Sequence, residues 1–362
     1  MPIDSLELLF RENIRRMKPY VPGEQPQGGK FIKLNTNENP YPPSPLAVRA
    51  IQQAAETSLV RYPDPLATAF RIQAAEVLGI DPDWILCGNG SDDILTIVTR
   101  AFVGEGDALR LPYPSYILYR TLAEIQNARY EEIFFDKDFR LGASFVAAGE
   151  RLKLAFLPNP NSPSGTVLPP QEVLALAEQL PCPLLVDEAY VDFAEHDCID
   201  LVRRNPRVMV SRTLSKSYGL AGLRFGFLIA HPDIIAMLRK VKDSYNCDAL
   251  AIAGATAAIG DRQWFAENRA QVLATRERLS RGLAELGFAV TPSQANFVWC
   301  RHHDYPAEEL YQRLKADRIL VRYMNYPGWG DGLRISVGTD AQIDACLSLL
   351  SSYLTASAPP AD

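Results

Sequence analysis

The feature that most constrains this chain is a succession of short, uninterrupted apolar runs. ILCG (85–88), ALRLP (108–112), KLAFLPNP (153–160), PLLVDEAY (183–190), VMVSRT (208–213) and FGFLIA (225–230) are separated by segments of helical period. A strand wetted on one face alternates apolar with polar residues, whereas continuous apolar runs indicate strands covered on both faces. They predict an α/β fold: a mainly parallel sheet flanked by helices, preceded by helices at 45–58 and 66–78. At about 150 residues per domain, 362 residues leave room for a second unit. Beyond about residue 255 the texture changes to a smaller α+β pattern. There we expect a helix over 264–286, strands at 288–291, 295–301, 319–323 and 333–338, and helices over 306–317 and 340–354. The expected organisation is an N-terminal arm (1–33), a large domain (34–255), a small C-terminal domain (256–354) and a disordered tail (355–362). The arm opens with an amphipathic stretch, Leu6 to Met17, and continues as PYVPGEQPQGGK, too rich in Pro and Gly for regular structure.

Charge and composition exclude several classes of function. Lys plus Arg total 37 against 43 Asp plus Glu, a net charge of −6, whereas nucleic-acid binding calls for a basic surface. The N-terminal segment interrupts its apolar positions with charge, and no later apolar run reaches membrane-spanning length, so a cytoplasmic protein without a membrane partner is expected. The six cysteines are widely spaced, with no pair or Cys/His grouping at metal spacing, and read as reduced, buried thiols. His302, His303 and Asp304 are adjacent, but neighbouring histidines in a strand point to opposite faces, so no metal is expected. With four histidines in the chain, catalytic chemistry is better sought in other side chains.

The segment TLSKSYGLAGLRFG, Thr213 to Gly226, sets one lysine among hydroxyls and glycines between two apolar runs. Lys216, desolvated in such a turn, becomes a nucleophile for carbonyls. Thr213, Ser215 and Arg224 in the same loop suit a phosphate, which arginine grips by a bidentate fork. Asp187 ends the run LLVD, at the strand end where open α/β sheets place ligands. An acid paired with a ring nitrogen, beside a lysine able to form a Schiff base, points to pyridoxal phosphate. In CGNGSDDILTIVTRAF (87–102), Ser91 is a candidate N-cap, and Gly88 and Gly90 permit a phosphate to approach the first helical amides.

These motifs resemble those of the fold-type-I, class-II pyridoxal-phosphate-dependent aminotransferases. TLSKSYGLAGLR is similar to the family's lysine motif, LLVDEAY to its Asp/Tyr motif, and NPNSPSG (159–165) to its Asn-Pro turn; KLNTNENPYPPSP, RYPD (61–64) and LRISVG complete the set. The resemblance spans about residues 7 to 354. It implies pyridoxal 5'-phosphate joined to Lys216, with Asp187 on the pyridine nitrogen and Tyr190 on the ring hydroxyl. The amides of Ser91 and Asp92, with Ser215 and Arg224, would hold the phosphate, and Tyr116 would stack on the ring. Tyr62 would reach the phosphate of a neighbouring subunit, implying a homodimer. The sequence departs from the family where Ser162 replaces the asparagine before proline; either Ser162 or Asn161 takes its contact with the ring hydroxyl.

On the substrate side, the resemblance implies that Arg334, assisted by Arg322, binds the anionic group, with Tyr20 of the arm covering the substrate phosphate. It favours the branch that takes L-histidinol phosphate and 2-oxoglutarate to imidazole acetol phosphate and L-glutamate, in histidine biosynthesis. Relatives with similar motifs act on aromatic amino acids, decarboxylate threonine phosphate, or serve as cofactor-binding regulatory modules. The last carry a DNA-binding domain, for which the 33 residues before LNTNEN are too few.

Overall fold

The computed structural model describes residues 6–19, 23–25 and 29–356. Tyr20 and residues 357–362, and with them most of the expected tail, lie outside the described residues. After β1 (Ile32–Lys33) come β2 (Ile85–Gly88), β3 (Ala108–Tyr113), β4 (Arg129–Phe134), β5 (Leu152–Pro158), β6 (Leu184–Asp187), β7 (Val208–Thr213) and β8 (Gly226–Ile229). Among the described residues β2 to β8 form one sheet in the order β2-β8-β7-β6-β5-β3-β4. Pairs β4/β3, β3/β5, β5/β6 and β6/β7 are parallel, and β8 is antiparallel to both neighbours.

The apolar runs are continuous because both faces of this sheet are covered. On β6, Leu184 and Val186 enter one core, which includes Phe70, Val173 and Ala255, while Leu185 enters the other, with Ile94, Leu122 and Phe156. Successive side chains on a strand point to opposite sides, so one run supplies two layers. Helix Ser91–Phe102 shows how the sequence selects a face: its buried Ile94, Leu95, Ile97 and Val98 recur at helical spacing. β4, RYEEIF, escapes the apolar-run criterion because it is the sheet edge and is only partly covered.

The second sheet contains β9 (Phe288–Thr291), β10 (Phe297–His302), β12 (Arg322–Tyr326) and β13 (Gly330–Ser336) in the antiparallel order β12-β13-β10-β9. The run expected as one strand over 319–323 is divided: β11 (Ile319–Leu320) pairs in parallel with β1, and the chain then passes to β12 in the other sheet. Helices Arg262–Glu285, Ala307–Ala316 and Asp340–Ala356 contribute to the core of this unit, in which Leu34 also packs. The amphipathic start of the chain is two short pieces, Glu7–Leu9 and Glu12–Arg16, separated by a bend, and Leu8, Leu9 and Phe10 are exposed. All six cysteines are free and buried.

Candidate active site

The C-terminal ends of the parallel strands converge on a cavity of about 620 Å³ that also meets the smaller sheet. Such strand ends are where open α/β sheets hold ligands. Asp187, the last residue of β6, is 5% exposed. Tyr119 Oη donates to its Oδ2 at 2.7 Å and Ser211 Oγ to its Oδ1 at 3.2 Å. Burial pushes the Asp187 carboxyl above its usual range, the two hydroxyls pull it back, and the negative charge of Asp92 pushes it further up. Lys216 follows β7 in the next turn. Its Nζ donates to the carbonyl of Thr36 at 3.2 Å and lies 5.6 Å from the centroid of the Tyr190 ring. Tyr190 Oη accepts from Asn37 Nδ2 at 3.0 Å.

Beside these groups is an anion cradle. Gly90, at φ 85°, is the N-cap of helix Ser91–Phe102, so Ser91 is the first helical residue and not the N-cap expected from sequence. The left-handed turn explains the difference: the capping position needs a residue tolerant of positive φ, and no side chain caps the helix. Its first amides are therefore left for an anion. A Cβ added at Gly90 would stand 2.5 Å from Arg224 Nη2, and one at Gly226 would stand 2.5 Å from the Ser91 amide nitrogen. Arg224 Nη1 donates to Ser215 Oγ at 3.4 Å, and Thr213 Oγ1 donates to the same hydroxyl at 3.0 Å. Arg224 Nη2 lies 3.3 Å from Asp92, whose other oxygen accepts from Tyr116 Oη at 3.3 Å.

On the opposite wall, Arg322 of β12 and Arg334 of β13 are direct cross-strand partners, and both line the cavity. Arg334 Nη1 donates to Ser162 Oγ at 2.8 Å and Nη2 to the Asn35 carbonyl at 3.1 Å, while its buried Nε has no partner. The two candidates in the Asn-Pro turn are separated by their orientation. Ser162 lines the cavity; Asn161 does not, because its amide donates within the fold to the Pro114 carbonyl at 3.3 Å and to Ser164 Oγ at 2.9 Å. Tyr62 is 80% exposed, stacks on Tyr245 at 4.6 Å and stands outside the cavity of its own chain. Sequence reasoning missed Asn37, Lys18 and Arg120, which also reach the site. Lys18 and Arg120 carry no motif of their own, whereas Asn37 falls in the LNTNEN segment, a part of the family resemblance to which no site role attaches.

The donor set suits pyridoxal phosphate group by group. The open amides, hydroxyls and Arg224 match a phosphate, and the space that glycine leaves at position 90 is what allows the guanidinium in. A buried carboxylate whose side-chain partners are neutral hydroxyls matches a protonated ring nitrogen, and Lys216 matches an aldehyde carbon. Fold and donor set together define a pyridoxal-phosphate enzyme of the aminotransferase class.

Comparison with known proteins agrees. The profile of the aminotransferase class I and II family matches residues 29–350. A histidinol-phosphate aminotransferase of Rhodopirellula baltica is 60% identical over 342 residues, covering 94% of each chain, and one of Trichormus variabilis is 47% identical, covering 92% of this chain and 95% of its own. The crystal structure of histidinol-phosphate aminotransferase from Sinorhizobium meliloti in complex with pyridoxal-5'-phosphate superposes with a TM-score of 0.84 at 29% identity, covering 90% of this chain and 91% of the other. The chain belongs to the class I and II aminotransferase family, and within it to the histidinol-phosphate aminotransferases. Among the described residues no helix is long and apolar enough to cross a membrane, and no His, Cys, Asp and Glu group is arranged to hold a metal.

Proposed function

We propose that this protein transfers the amino group of L-histidinol phosphate to 2-oxoglutarate, in histidine biosynthesis, with the site residues acting as follows. Bound pyridoxal phosphate supplies an electron sink for the carbanion formed when the amine-bearing carbon loses its proton. Lys216 would be the attachment point of the cofactor, and its Nζ, when free in the cavity, would take the proton from the amine-bearing carbon and hand it on; a positioned base of this kind contributes about 10²–10⁴-fold. Asp187 keeps the ring nitrogen protonated. Tyr190 and Ser162 donate to the ring hydroxyl, and Tyr116 forms one wall of the ring site. Ser91, Asp92, Thr213, Ser215 and Arg224 hold the cofactor phosphate.

The observation that carries the substrate assignment is the cross-strand arginine pair. Like charges directly opposite each other on adjacent strands repel, and an anion received between Arg322 and Arg334 removes that repulsion. Lys18 adds positive charge to the same cavity, against a chain of net −6, and Arg120, ion-paired with Glu132, lines it as well. Both substrates of the proposed reaction are anions, so one cationic wall serves each in turn. Tyr20, outside the described residues, is proposed to cover the substrate phosphate. The exposed Leu59, Val60 and Tyr62 support a homodimer in which Tyr62 reaches the partner's cofactor phosphate. Six free cysteines accord with a cytoplasmic location.

The test is a transamination assay of the holoenzyme with L-histidinol phosphate, phenylalanine and threonine phosphate, each with 2-oxoglutarate. Histidinol phosphate is expected to give the highest kcat/KM, and Arg334→Ala to lower it about 10²-fold or more. Faster turnover of phenylalanine, or release of carbon dioxide from threonine phosphate as the main reaction, would overturn the assignment.

A further inference from the structure

The segment LNTNEN (34–39) enters the site without belonging to either sheet's catalytic edge, and its polar groups meet several of the residues just named. The carbonyl of Asn35 accepts from Arg334, and that of Thr36 from Lys216. Asn37 is the most committed of them. It is 1% exposed and sits at φ 56°, a left-handed conformation that asparagine tolerates better than most residues. All of its polar groups are engaged. Its backbone N–H donates to Ser336 Oγ at 2.8 Å, and its carbonyl accepts from Asn296 Nδ2 at 3.0 Å. Its side-chain Oδ1 accepts from Ser336 Oγ at 2.8 Å, and its Nδ2 donates to Tyr190 Oη at 3.0 Å.

One sense of this arrangement leaves no hydrogen without an acceptor. A backbone N–H can only donate, so Ser336 Oγ accepts there, and its own hydrogen finds its acceptor in the Asn37 side chain. The atom receiving that hydrogen must be the amide oxygen, which leaves the NH2 end facing Tyr190. Tyr190 Oη is therefore an acceptor toward Asn37, and its own hydrogen remains for the cavity that the tyrosine lines. Ser336 closes β13 and Asn296 directly precedes β10, so the polarity is set from the smaller sheet.

We propose that Asn37 is a positioning residue: oriented by Ser336, it turns the hydroxyl hydrogen of Tyr190 toward the ring hydroxyl of the cofactor. The inference rests on the proposed role of Tyr190. An N–H bond to Tyr190 Oη also strengthens Tyr190 as a donor, because successive hydrogen bonds polarise one another. A ring hydroxyl so stabilised in its ionised form makes the neighbouring nitrogen that joins Lys216 to the cofactor less basic. The readout is then the pH midpoint of the holoenzyme's visible absorption band.

The variants are Asn37→Asp, Asn37→Gly and Tyr190→Phe, with both Asn37 changes repeated in the Tyr190→Phe background. The carboxylate of Asn37→Asp can only accept and diverts the tyrosine hydrogen, so the midpoint is expected to rise by about one unit. Asn37→Gly keeps the left-handed backbone, adds no charge and removes the donor, and a rise of about half a unit is expected. In the Tyr190→Phe background the rise with glycine should vanish, and that with aspartate should shrink to the effect of its charge alone. A purely structural role for Asn37 would lower Tm and leave the midpoint in place, and that result overturns the proposal; so do equal shifts in both backgrounds. Failure of the underlying reading looks different: Tyr190→Phe alone would then leave the midpoint of the wild-type protein in place.

Discussion

Asp187 and Glu188 are consecutive acids at the end of β6, both almost fully buried, and their side-chain partners differ in charge. Asp187 faces the cavity and meets two hydroxyls, from Tyr119 and Ser211. Glu188 turns to the opposite side, where Arg212 Nε donates to its Oε2 at 2.9 Å and the backbone N–H of Cys198 donates to its Oε1 at 2.5 Å. Arg212 is also held 3.1 Å from Asp197 and 4.0 Å from Asp192, and those carboxylates raise its already high pKa. Burial pushes the Glu188 carboxyl up, and Arg212 pulls it back toward the ionised form. A buried acid saturated by a guanidinium and a backbone amide has no capacity for a ligand. One whose side-chain partners are neutral hydroxyls keeps a place for a cation that arrives later.

The difference can be broken experimentally. The largest effect is expected at Asp187→Ala, which should lower kcat about 10³-fold while leaving the urea midpoint of the protein close to wild type. Turnover within tenfold of wild type would show that the carboxylate has no role in the chemistry. Glu188→Ala should do the reverse. Leaving Arg212 short of its closest partner costs about 3 kcal/mol in urea unfolding, while kcat per folded molecule stays within a few-fold of wild type. A large loss of kcat with unchanged stability would erase the distinction between the two acids.

Smaller changes sharpen it. Tyr119→Phe removes the shorter of the two hydrogen bonds to Asp187, and a decrease in kcat/KM of about tenfold is expected, against a few-fold for Ser211→Ala. Equal effects would mean that the hydroxyls contribute volume and not orientation. A final test uses protein stripped of cofactor. There the Asp187 carboxyl titrates above its unfolded value of 3.8, so the folded state resists its ionisation. Asp187→Asn should therefore stabilise the stripped protein near neutral pH, and the gain should fade as pH drops through the raised value toward 3.8. A gain that persists in acid would locate its cause elsewhere than in the buried charge.

Much of the site was legible because its residues lie in short segments attached to strand ends. Asp187 terminates an apolar run, Lys216 follows another within a turn, and Arg224 leads into a third; the strand and its site residue are read together. The Asn-Pro turn was not legible to the same depth. Asn161 and Ser162 are adjacent, both buried and both polar, and the direction each side chain takes depends on Ser164 in the same turn and on Pro114 and Arg334, which come from two other places in the chain. The run over 319–323 misled for a similar reason: it is one apolar stretch, but Ile319 and Leu320 find β1 and Arg322 finds Arg334.

The sequence by itself determined the two-faced sheet, the lysine and acid at its edge, and the glycines that admit a phosphate, because each is set by local spacing and by what a residue type can do. Tertiary structure alone decided which polar atom faces which. The sense of the hydrogen bond at Tyr190, the different orientations of Ser162 and Asn161, and the different partners of Asp187 and Glu188 depend on residues hundreds of positions away in some cases, such as Ser336 for Asn37. Hydrogen bonds are directional and short in range, so they carry no mark in the sequence until folding brings donor and acceptor together.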